Sequence, residues 1–225
     1  MMLLAIALSA LTSSADFPAD VPTSDPSYEQ VKLLYSGGAL HTYSDGQFRG
    51  NRPATRYEVA WMFDAAFRMM NVKGITEGKP AFFPDFPTAG VPSDTTFPPN
   101  MLAALNRMSA IGVLHSYPDS LFRGGRTASK NELLIMTYRL ATKTIKWNIE
   151  SAAKMPVPEP EGKPGSTRDL DPTELEIALR TLRYLQVLPL EADGSYGGEK
   201  PATRYQVVTS LGRLVAWRIL ESKGG

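Results

Sequence analysis

Ala39-Leu40-His41-Thr42-Tyr43-Ser44-Asp45-Gly46-Gln47-Phe48-Arg49-Gly50 is followed, after four residues, by Thr55-Arg56-Tyr57-Glu58. The chain repeats both segments twice. The first returns as Val113-Leu114-His115-Ser116-Tyr117-Pro118-Asp119-Ser120-Leu121-Phe122-Arg123-Gly124, and again as Val187-Leu188-Pro189-Leu190-Glu191-Ala192-Asp193-Gly194-Ser195-Tyr196-Gly197-Gly198. The second returns as Ser129-Lys130-Asn131-Glu132 and as Thr203-Arg204-Tyr205-Gln206. Each element recurs every 74 residues, with no insertion between loop and tetrapeptide. Such a period sets the architecture before any single residue is considered: each copy is one small unit, and the copies must cooperate to bury a core.

The tetrapeptide is a capping box. The Ser or Thr hydroxyl accepts a backbone N–H of the first turn, and the Glu or Gln reaches back to the cap. A helix therefore begins at each site. Apolar residues follow at helical spacing: Val59, Ala60, Phe63 and Phe67; Leu133, Leu134, Thr137 and Ala141; Val207, Val208, Leu211 and Val215. Upstream, Val31, Leu34 and Leu40 align with Leu105, Met108 and Leu114, and with Leu179, Leu182 and Leu188, so a first helix precedes each loop. Gly38 and Gly112 stand where that helix should stop. Gln186 holds this place in the third unit, which predicts a different helix end. Each unit reads helix, turn-rich loop with an aromatic (Phe48, Phe122, Tyr196), capped helix, and the fold class is all-α.

These motifs resemble the S-layer homology domain. That family's signature is a Gly-Ile-Ile-x-Gly-Tyr-x-Asp-Gly-Thr-Phe-x-Pro loop, then a Thr-Arg-Ala-Glu motif opening a helix. The resemblance covers about residues 17–70, 84–145 and 169–221. The second unit has Ser129-Lys130-Asn131-Glu132 for Thr-Arg-Ala-Glu. The third keeps Thr203-Arg204 but has Gln206 for Glu, and Glu191 and Gly197 replace the loop Tyr and Arg. The resemblance implies three tandem helix-loop-helix repeats packed as a pseudo-threefold, three-lobed domain, with the first helix of each unit toward the centre. Leu34, Met108 and Leu182 would then share a central core.

The expected organisation is a signal peptide at 1–15, repeats at 16–72, 73–146 and 169–221, and a Pro-rich linker at 147–168. Met1 to Leu11 is a short apolar run, and small residues at Ser13 and Ala15 suit cleavage before Asp16. The alternative is a buried N-terminal helix. The run is too short to span a bilayer, and no other stretch predicts a span in the mature chain. Prolines at 156, 158, 160 and 164 make the linker an extended joint. With 225 residues, 43% of them apolar, the chain can form a compact domain or three fused lobes. A net charge of +1 argues against a nucleic-acid binder. The absence of cysteine excludes disulfides, zinc thiolates and thiol nucleophiles. No cofactor or metal site is expected, since the Asp-Gly turns lack the alternating oxygen ladder of a calcium loop.

Arg56, Lys130 and Arg204 each occupy the first helical position. A cation there opposes the helix dipole by about 0.3–1 kcal/mol. An anion bound at the helix N-terminus, on free N–H groups and a guanidinium, would resolve the conflict. The alternative is pairing with nearby carboxylates such as Glu58, Asp45 or Asp119. The resemblance implies that these cations meet a cell-wall polysaccharide, often one bearing a pyruvate ketal, in grooves between adjacent lobes. The candidate ligand-binding residues are Arg56, Lys130, Arg204, Tyr57, Tyr205, Glu58, Glu132, Asp45 and Asp119. His41 and His115 share one slot, which Pro189 fills in the third unit, and this suits structure or groove lining better than catalysis. Asp45 and Glu58 could pair as glycosidase carboxylates, but their turn and cap roles already account for them, so no catalytic residue is expected. The expected function is a non-catalytic envelope anchor, secreted to the cell wall surface or periplasm, binding an anionic wall polysaccharide or peptidoglycan-linked polymer. A helical adaptor for another envelope protein is the alternative.

Overall fold

The computed structural model describes residues 17–75, 78–80, 83–85, 100–145, 170–191, 194 and 196–223. The expected signal peptide and Pro-rich linker lie outside these residues. Among these residues there are six helices: α1 (Tyr28–Ser36), α2 (Arg56–Met70), α3 (Met101–Ala110), α4 (Lys130–Thr144), α5 (Pro172–Tyr184) and α6 (Arg204–Lys223). Among the described residues there is no strand, only three isolated bridges, Pro53 to Thr203, Thr55 to Thr127 and Ser129 to Pro201. The fold is all-α.

The capped helices start where their boxes place them. Thr55 Oγ1 accepts the Glu58 amide, and the Glu58 carboxylate accepts the Thr55 amide at 2.7 Å. Ser129 and Glu132 do the same. Gln206 serves as well as Glu, since its Oε1 accepts the Thr203 amide at 3.0 Å.

The first helices also end alike. Gly38, Gly112 and Gln186 all take positive φ, at 67°, 76° and 54°. The following amides of Ala39, Val113 and Val187 donate back to the carbonyls of Leu34, Met108 and Leu182. The expectation of a different end in the third unit is therefore corrected. Those carbonyls must be satisfied, and Gln186 adopts the left-handed conformation to do it.

The expected place of the first helices is corrected too. α2, α4 and α6 contact one another, whereas α1 packs on α6, α3 on α2 and α5 on α4. Each first helix thus covers the capped helix of the preceding unit, counting cyclically. Leu34, Met108 and Leu182 are fully buried, but each lies on one of these outer helices rather than at a shared centre. The physical reason lies in the faces. The capped helices are buried over more of their surface: α2 buries twelve of its fifteen residues, the small Ala60, Ala65 and Ala66 and the charged Arg56, Glu58 and Asp64 among them. α1 and α5 bury one stripe only.

The segments just before the capped helices close a ring. Ala54 N–H donates to the Ala202 carbonyl, Ala202 N–H to Ala128, and Ala128 N–H to Ala54, each at 2.9 Å. All three alanines are buried.

Candidate functional site

The ring sets each capped helix against the loop of the next unit. The amides of Arg56 and Tyr57 donate to the carbonyls of Arg126 and Gly124. Those of Lys130 and Asn131 donate to Lys200 and Gly198, and those of Arg204 and Tyr205 to Arg52 and Gly50. The third amide of each helix goes to the cap hydroxyl. The first three N–H groups of every capped helix are therefore used internally, which corrects the expectation that they are free for an anion.

The cations turn away from their own helices into the neighbouring loop. Arg56 is buried. It donates to the Phe122 and His115 carbonyls at 2.8 Å and to Glu132 at 2.5 Å. Arg204, equally buried, donates to the Phe48 carbonyl at 2.8 Å, to the His41 carbonyl, and to Glu58 at 2.9 Å. Lys130 pairs with Glu191. The dipole conflict is thus offset by a carboxylate from the adjacent unit, with Glu58 as expected but with Glu132 and Glu191 in place of Asp45 and Asp119. Those aspartates hold their own turns. Asp45 accepts the Gln47 amide and Arg49, Asp119 the Leu121 amide and Arg123. The Arg49 bond, then the Gln47 amide, hold the Asp45 carboxyl below its usual range.

Above the buried pairs sit two aromatic rings. Tyr43 OH donates to Glu58 at 2.7 Å and Tyr117 OH to Glu132 at 2.6 Å. Burial, then the bond to Glu132, pushes Tyr117 up to about 12. Burial alone would raise Glu58, but the Thr55 amide, Arg204 and Tyr43 outweigh it and hold this carboxyl below the usual range. Three guanidiniums surround each ring: Arg49, Arg52 and Arg204 at Tyr43 (4.7, 5.0 and 4.9 Å), and Arg123, Arg126 and Arg56 at Tyr117 (4.8, 5.3 and 4.8 Å).

One recurring cation was missed by the sequence reading. Arg52, Arg126 and Lys200 are 74 residues apart and all are exposed. Arg52 keeps 45% of its side chain in solvent, donates to Tyr43 OH, and lies 3.8 Å from Glu58. The same period that revealed the buried cations could have found these. Asp20 and Asp85 were missed as well. Each carboxylate takes two successive loop amides, of Phe48 and Arg49 or of Phe122 and Arg123. They do not obey the 74-residue spacing, so the repeat gave no sign of them.

Tyr57 and Tyr205 sit at the junctions between units. Each packs on a glycine of the neighbouring loop. A Cβ on Gly124 would fall 2.0 Å from the Tyr57 ring, and one on Gly50 2.3 Å from Tyr205. Burial, then Asp25 and Asp20, push Tyr205 up to about 12.

A groove of about 290 Å³ opens at the second of these junctions, lined by His115, Tyr117, Arg126, Ser129, Glu132 and Glu199 among others. Burial first, then Arg56 and Arg139, push His115 down to about 3, so its imidazole is neutral at physiological pH. Arg56 can only donate, so the His115 Nε2 that faces it at 3.4 Å is the acceptor and Nδ1 carries the proton. Among the described residues no cluster of three metal-ligating side chains occurs, and no helix is long and apolar enough to cross a membrane.

Residues 19–60 match the family described as the S-layer homology domain. No curated protein matched the chain. The matched segment contains α1, the first loop and the first capping box. That domain is a non-catalytic module that anchors proteins to the cell wall by binding secondary cell-wall polymers, and it occurs in cell-surface and envelope-associated proteins.

Proposed function

We propose that the chain is a secreted envelope anchor that binds an acidic cell-wall polysaccharide, such as a pyruvylated one, in grooves between its units. In this reading residues 16–72, 73–146 and 169–221 are three S-layer homology repeats, joined across 147–168 and arranged as three lobes about a pseudo-threefold axis. The cyclic hydrogen bonds of Ala54, Ala128 and Ala202 support that arrangement.

The observation that carries the function is the exposed arginine beside a tyrosine ring at two junctions, Arg52 with Tyr43 and Arg126 with Tyr117. The ring backs the exposed guanidinium, which offers a fork of donors to a sugar carboxylate. Arg56, Arg204 and Lys130 lie beneath, holding Glu132, Glu58 and Glu191 so that the rings and loops keep their places. Glu58 and Glu132 act by accepting the tyrosine hydroxyls, Asp45 and Asp119 by fixing the turns, and Tyr57 and Tyr205 by seating one unit on the next.

The test is co-sedimentation with wall sacculi, with and without acid removal of the attached polymers, of the native chain and of Arg52→Ala/Arg126→Ala. Each charge-assisted bond contributes about 1.5–3 kcal/mol, so affinity should fall at least tenfold per arginine while the melting temperature stays near that of the native chain. Binding that survives both the double substitution and polymer removal would reject the glycan reading and favour a protein partner.

A further inference from the structure

The three junctions are not equivalent, and their differences fall together on one. At the third, Glu191 stands where the others have Tyr43 and Tyr117, and Gly197 where they have Arg49 and Arg123. Lys200 replaces Arg52 and Arg126, and Gln206 replaces Glu58 and Glu132. These four changes are chemically linked. Gln206 keeps the cap bond but carries no charge, so the buried Lys130 needs a carboxylate from elsewhere. Glu191 supplies it from the loop. Gly197 leaves room for this: a Cβ there would lie 3.2 Å from Glu191 Oε1, 3.2 Å from the Lys200 side chain and 3.5 Å from Lys130 Nζ. One carboxylate and two lysine side chains thus converge where the other junctions present a ring under three guanidiniums.

We infer that Glu191 is a built-in carboxylate ligand of the third junction, so that the chain takes acidic sugars at two junctions and excludes them from the third. The inference rests on the reading of the junctions given above. Glu191 pairs with the buried Lys130 from within the chain, and its substitution for tyrosine removes the ring that backs the exposed arginine at the other two junctions.

The experiment is an amide NMR titration of the full chain with glucuronic acid, a pyranose bearing one carboxylate. Glucose and acetate supply the ring and the charge separately. In the native chain, glucuronate should shift amides around Tyr43 and Arg52 and around Tyr117 and Arg126, while Gly197 and Lys200 stay fixed. In Glu191→Ala, Lys130 loses its internal carboxylate, and both acetate and glucuronate should now shift Gly197 and Lys200. Glu191→Gln provides the same test with less lost volume should the alanine variant unfold. Shifts at all three junctions of the native chain would overturn the inference and leave the acidic-sugar reading standing. A third junction that stays unresponsive to acetate in a folded Glu191 variant would also overturn it. No shift at any junction would remove the acidic-sugar reading and this inference with it.

Discussion

Arg56 carries its charge to a place without solvent and is met there by Glu132, two carbonyls and the faces of two rings. Desolvating such a pair opposes its Coulomb attraction, so its net contribution is modest, but removing one partner strands the other. Arg56→Ala should therefore destabilise by about 3–5 kcal/mol, read by urea unfolding, and it is a poor probe of ligand binding. His115 gives a pH signature. Its folded pKa is about 3 against an ordinary 6.5, so the unfolded chain binds the extra proton between those values. Its contribution is complete above pH 6.5 and is lost as pH falls toward 3. The stability of His115→Gln should fall less steeply than that of the native chain from pH 6.5 to 4, and equal slopes would show that the imidazole is not held neutral. At this scale the sequence disclosed the recurring cations and suggested that they pair with carboxylates. It did not disclose the direction of the side chains, because a first-turn residue can serve its own helix or the next unit with the same local pattern.

The starts of the three capped helices were legible, because a capping box is a local contract between residues three apart; those of α1, α3 and α5, two of which lack a side-chain cap, were not. Helix ends were legible where glycine marked them. At Gln186 the backbone takes the left-handed form without glycine, at a strain of about 1 kcal/mol. Gln186→Gly should raise the melting temperature by a few degrees, while Gly112→Ala, which meets open space but keeps φ at 76°, should lower it. Opposite signs at equivalent slots would tie the effect to backbone conformation rather than packing. Packing dominates at Gly124, where alanine would drive its Cβ into the Tyr57 ring, and a loss of about 1–3 kcal/mol is expected in thermal unfolding. What the sequence misplaced was which helix lies inside. Periodicity shows that a helix has an apolar face, but α1 and α2 both do. Deciding between them needed the width of that face, which is greater on α2.

Across the molecule, the ring of Ala54, Ala128 and Ala202 makes the units interdependent. Each first helix covers the capped helix of another unit, so none of the three holds a complete core of its own. Hydrogen exchange should find the amides of these three alanines opening together, in the slowest class, with a free energy equal to that of global unfolding. An earlier opening of Ala202 alone would mean that the third unit detaches independently. The 74-residue period marked the three loops and the three capped helix starts. The handing of α1 to α6, across nearly the whole chain, left no trace in any local pattern. That contact bears on how such a molecule would carry a load. Because α1 rests on α6, the described chain closes on itself like a clasp, and tension applied between residues 17 and 223 falls first on that one seam. The contact between α1 and α6 is therefore the one that such a tension would test first.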